Sequence, residues 1–77
     1  MWITLNGDRY EIARPLTPAT PATPATMTVA ELLAHLAIDG RRVAIELNLV
    51  VLRRDAFGGT IVREGDAVEI VNFVGGG

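Results

Sequence analysis

Seventy-seven residues, about half of them apolar, with seven arginines against nine acidic side chains and a net charge of −2, describe one small globular domain. The slight acidic surplus argues against nucleic-acid binding, which draws on a basic excess, and no apolar stretch approaches the ~20 residues that span a bilayer. With no cysteine, no lysine and a single histidine, His35, the chain can form no disulfide, thiolate centre, histidine-pair metal site or lysine Schiff base, and its only primary amine is the N-terminal one.

The N-terminal MWITLNG lacks the charged-then-apolar order of a signal peptide, so a cytoplasmic protein is expected. WITLNGDRYEI reads as a hairpin turning on Asn6-Gly7, because both positions of that turn require positive φ. A two-residue turn pairs Leu5 with Asp8 and Ile3 with Tyr10. It puts Met1, Ile3, Leu5, Tyr10 and Ile12 on one face and Trp2, Thr4, Arg9 and Glu11 on the other. Residues 14–26 hold all four prolines in a Pro-Ala-Thr repeat, which removes donors and disfavours helix, and are expected to form an extended or disordered loop.

MTVAELLAHLAIDG predicts a helix marked at both ends. Thr28 and Glu31 have the spacing of a capping box, Met27 and Leu32 that of a hydrophobic staple, and Gly40 stands as the terminating glycine. Val29, Leu32, Leu33 and Leu36 form its apolar stripe. RVAIELN alternates as a third strand and LVVL returns as a short fourth. RRDAFGGTIV reads as irregular, with Phe57 filling the core, and REGD as a turn. AVEIVNFV is the last strand; apolar side chains on both its faces suit a position inside a sheet.

The order β-β-α-β-β-β predicts an α+β fold: a mixed sheet of about five strands with one helix on one face. With the last strand central and parallel to the first, this is the ubiquitin-like β-grasp arrangement. It would occupy residues 1–74, with 75–77 as a flexible glycine tail.

GDAVEIVNFVGGG resembles the C-terminus of the ThiS family, the sulfur carriers of thiamine biosynthesis. TVAELLAHL, VAIELN, Arg54, Phe57 and the Gly-Asp before the last strand match the same family frame, over residues 1–13 and 27–77. Two features depart from it: the Pro-Ala-Thr repeat is longer than the family's connection, and Leu49 and Val50 are apolar where its hairpin tip is commonly polar. The resemblance implies a non-enzymatic carrier with no bound cofactor or metal. A ubiquitin-activating-type (ThiF-type) enzyme would adenylate the Gly77 carboxylate with ATP. A sulfur-donor enzyme would convert it to a thiocarboxylate, and thiazole synthase (ThiG type) would take the sulfur.

The tail suits that chemistry. A terminal carboxylate, of pKa ~3.5, is anionic at neutral pH and a poor electrophile until activated in a partner's ATP site. Gly75, Gly76 and Gly77 span roughly 10 Å when extended and have no Cβ to obstruct a narrow channel. No side-chain thiol competes as sulfur carrier, which leaves the Gly77 carboxyl.

Terminal glycines by themselves are usually a frayed end. It is the strand running directly into them that favours function. His35 reads as a solvated helix residue suited to the helix dipole. Arg41-Arg42 and Arg53-Arg54 are ordinarily solvated too, with Arg54 favoured for docking a partner because it matches a family position. Leu49 and Val50 are open to burial or to partner contact, and Phe73 and Val74 to core packing or to docking beside the tail. Three other readings remain: the small subunit of molybdopterin synthase, a ubiquitin-like protein modifier, and an interaction module with an inert tail.

Overall fold

The computed structural model describes residues 1–13, 20 and 26–73, so most of the Pro-Ala-Thr loop and residues 74–77 lie outside the described residues. Asn6 and Gly7 take φ of 50° and 86° and turn β1 (Trp2–Leu5) into β2 (Asp8–Glu11) in the expected register, Leu5 opposite Asp8 and Ile3 opposite Tyr10. Ile3 and Ile12 are fully buried, and Met1, Leu5 and Tyr10 pack against them.

A strand absent from the sequence reading, β3 (Thr26–Thr28), leads into the helix, so Thr26 belongs to the sheet structure rather than to the loop. Thr28 caps α1 (Val29–His35): its Oγ1 accepts from the Glu31 amide at 3.0 Å, and the Glu31 carboxylate accepts from the Thr28 amide at 2.8 Å. Two further amides at the helix start are satisfied by the chain beyond the sheet, Val29 N by Thr60 O and Ala30 N by Phe57 O, each at 2.9 Å. These bonds fix the helix against the segment that carries Phe57.

The helix ends before Gly40. Ala37 takes the left-handed conformation at φ 57°; its amide bonds Ala34 O and the Ile38 amide bonds Leu33 O, the two bonds of a Schellman cap. Gly40 instead opens a 3₁₀ turn, Gly40–Arg42, and serves close approach: a Cβ there would stand 3.3 Å from Leu33 Cδ1 and 3.4 Å from Phe57 Cδ2.

β4 (Val43–Leu47) and β5 (Val50–Leu52) form a second hairpin over Asn48 and Leu49, both at positive φ. The segment read as irregular contains a 3₁₀ turn, Arg54–Ala56, and β6 (Ile61–Arg63), which pairs antiparallel with β3 and sets Val62 opposite Met27. β7 (Ala67–Asn72) completes a five-stranded sheet of order β2-β1-β7-β4-β5, central as expected, parallel to β1 and antiparallel to β4. The helix covers one face, where Val29, Leu32 and Leu33 meet Ile3, Ile45 and Val68 in the core.

Candidate functional site

The candidate site is the end of β7, from which the chain continues to residues 74–77. Beside its parallel pairing with β1, three sets of bonds hold this strand. β4 pairs with it from Val43↔Asn72 to Leu47↔Val68. From the first hairpin turn, the Asn6 carboxamide accepts from Ile70 N at 2.7 Å and donates to Ile70 O at 3.1 Å, extending the β1 ladder by one residue. From the second, Asn48 Oδ1 accepts from Ala67 N at 2.9 Å while Nδ2 donates to Asp66 at 3.1 Å. The two left-handed asparagines thus clamp the same strand from its two sides. The sequence marked Asn6 as a turn residue; its second role depends on β7 lying beside it, which no local pattern records.

The ladder runs one step past β7, where Phe73 N donates to Arg42 O at 2.9 Å. Phe73 is 58% exposed, so of its two sequence readings core packing is excluded. It lines a cleft of about 350 Å³ together with Phe57, Leu52, Gly40, Arg41, Arg54 and the start of β4, Val43 and Ala44. Phe57 is buried, as anticipated, and still contributes to the lining of the cleft. Arg54 arrives here because β5 ends at Leu52, level with Ile45 near the start of β4, and the chain then turns into the 3₁₀ segment.

Phe73 and Arg54 are therefore brought together. Leu49 and Val50 are not: they sit at the turn between β4 and β5, at the opposite end of β4, roughly 13 Å along the strand. Both are exposed, Leu49 by 87%, so burial against a neighbouring loop is excluded. Val51 and Val71 are exposed as well; alternation in a sequence does not say which face of a sheet lacks a covering layer. Val74, Gly75, Gly76 and Gly77, the remaining candidates, lie outside the described residues.

Electrostatics at this end are set by Asp39. It caps the 3₁₀ turn by accepting from Arg41 N at 2.9 Å and binds the Arg41 guanidinium through Nε at 3.1 Å and Nη2 at 2.9 Å. The Arg41 side chain, then its amide, holds the Asp39 carboxyl down at a pKa of about 2, and Arg41 is raised in turn. His35, at the far end of the molecule's helix, lies 3.4 Å from the Tyr10 hydroxyl and takes no part in the site. Among the described residues, no three His, Asp or Glu side chains group to hold a metal ion, and no helix is long and apolar enough to cross a membrane.

Comparison with known proteins gives these features a context. Residues 3–77 match the ThiS family. A thiamine biosynthesis protein ThiS from Geobacter metallireducens superimposes with a TM-score of 0.76 at 38% identity, covering all of both chains. A solution structure of a thiamine biosynthesis protein from the same organism gives 0.68 at 40% identity, over all of this chain and 88% of that one. The chain is also 45% identical over 51 residues to a thiazole synthase from Paramagnetospirillum magneticum, and 38% identical over 50 residues to one from Magnetococcus marinus. These stretches span 66% and 65% of this chain but only 16% and 15% of the synthases. The uncharacterised protein ycf40 of Porphyra purpurea is 32% identical over 75 residues, 97% of this chain and 90% of its own. Matched along nearly its whole length and folded as the solved ThiS protein is, this chain belongs to the ThiS family, with the family's ubiquitin-like β-grasp fold.

Proposed function

We propose that the protein is a sulfur carrier for thiazole formation in thiamine biosynthesis, and that its reactive group is the carboxylate of Gly77. The observation that carries this reading is the central strand β7, clamped by Asn6 and Asn48, leading through exposed Phe73 into Val74-Gly75-Gly76-Gly77 in a chain of the ThiS family. Thiazole synthases that contain a segment similar to this chain support thiazole synthase as the sulfur acceptor, in preference to a molybdopterin synthase large subunit.

In the proposed reaction a Gly77 carboxylate oxygen attacks the α-phosphorus of ATP on an activating enzyme, and pyrophosphate leaves. A hydrosulfide equivalent from a sulfur-donor enzyme attacks the acyl carbon, AMP leaves, and a thiocarboxylate remains. The protein supplies the acyl group and its delivery, while the enzymes supply the catalysis. Ordering three glycines in a partner's channel costs about 3–6 kcal/mol at ~1–2 kcal/mol per residue. Docking of the folded body must offset that cost, which is why a fixed strand and an exposed surface at its end matter.

Incubation with the activating enzyme, ATP and a sulfur donor tests the reading. The intact mass should rise by the exchange of one oxygen for one sulfur, and deletion of Gly77 should abolish the rise without lowering the melting temperature. Conjugates that survive boiling and thiol reductant would favour a protein modifier instead.

A further inference from the structure

The cleft beside Phe73 lies at the one end of the sheet where arginines gather. Arg41 and Arg42 immediately precede β4, Arg53 and Arg54 immediately follow β5, and the strand register sets both pairs level with the end of β7. Asp39 binds Arg41 and lies 3.8 Å from Arg42 Nε, and Asp55 lies 3.7 Å from Arg53 Nε. Among the described residues, four arginines face two aspartates here, a local basic excess in a chain whose net charge is −2.

Arg54 differs from its three neighbours: among the described residues no carboxylate lies within ion-pair distance of it. An exposed arginine is ordinarily no more than solvated. This one borders a cleft lined by the buried Phe57, aliphatic Leu52 and the exposed Phe73, with no acidic side chain in its lining. The guanidinium offers a planar fork that a carboxylate engages with two bonds, and the cleft offers apolar surface within reach of the same visitor.

We propose that this cleft docks an acidic segment of the enzyme that activates the tail, with an Asp or Glu carboxylate on Arg54 and an adjoining aromatic or aliphatic side chain between Phe57 and Phe73. The inference rests on the carrier reading: Gly77 is only four residues beyond Phe73, at most roughly 14 Å, so an enzyme that holds Gly77 must cover this end of the sheet.

The test is ATP–pyrophosphate exchange by the activating enzyme, titrated with the full-length chain. Arg54→Glu should raise the KM for the carrier about tenfold or more, because it sets like charges together, and leave kcat within about twofold. Arg54→Ala should raise KM a few-fold, and the effect of both should shrink in high salt. Phe73→Ala should raise KM with little salt dependence. Arg63→Glu, a reversal outside the cleft, is the control and should change KM by less than about twofold; melting curves confirm that each variant folds. Wild-type KM for Arg54→Glu, or an equal rise for Arg63→Glu, overturns the docking proposal alone. No exchange with the unaltered chain at any concentration overturns the carrier reading, and this inference with it.

Discussion

Replacing Asn6 by glycine tests whether the turn asparagine truly holds the functional strand. Glycine adopts the φ of 50° at least as readily as asparagine, so the turn itself loses nothing. What disappears is the pair of bonds to Ile70, of 2.7 and 3.1 Å. At about 0.5–1.5 kcal/mol each, and toward the low end because both are solvent-exposed, they contribute about 1–2 kcal/mol. The looser unfolded chain adds roughly 0.5 kcal/mol to the cost. For a domain of 77 residues the unfolding entropy is about 160 cal/mol/K, so a loss of about 2 kcal/mol lowers Tm by roughly 12 °C. Thermal unfolding followed by circular dichroism reads this directly. Asn6→Asp, which keeps the acceptor for Ile70 N and loses the donor, should fall between the two. A Tm for Asn6→Gly equal to or above that of the unaltered protein would refute the clamp, since it would show Asn6 to be a turn former only.

Ala37→Gly should move stability the other way. The left-handed cap at φ 57° costs an alanine about 1 kcal/mol that glycine avoids, so after the entropy of the unfolded chain a gain of roughly 0.5 kcal/mol and a few degrees in Tm is expected. Asp39→Asn should remove a pH-dependent increment. The Asp39 pKa is lowered from 3.8 to about 2 by Arg41, so its stabilisation is complete above pH ~4 and disappears as pH falls through about 2. Urea midpoints of the two proteins should therefore differ at pH 5.5 and converge near pH 2.

The hairpin, the capping box and the central last strand were all legible in the sequence because each rests on local chemistry: Asn-Gly at positive φ, Thr-x-x-Glu spacing, and apolar side chains on both faces of one strand. The pairing of β3 with β6 was not. Three residues hold too little alternation to measure, and in this strand Thr26 falls in the Pro-Ala-Thr repeat while Met27 and Thr28 carry the signals of a helix start. Gly40 misled because a glycine near a helix end has two possible uses, and here it lets Phe57 and Leu33 approach rather than reverse the chain. The parts of the site divide in the same way. Arg54 and Phe73 were visible as individual residues. Their meeting across a cleft, with Arg41 on its rim, follows from the β4–β5 and β4–β7 registers, and these are long-range facts. Leu49 and Val50 were candidates for partner contact as well, and they lie at the other end of the sheet.

The central claim is that the acyl carbon of Gly77 carries the sulfur. It is tested most directly by intact-mass analysis of two proteins after identical treatment with activating enzyme, ATP and sulfur donor: this chain ending at Gly77, and the same chain with one alanine added after it. The account predicts an oxygen-to-sulfur mass exchange in the first and an unchanged mass in the second. Equal exchange in both, or in neither where a solved ThiS protein is converted under the same conditions, would contradict it.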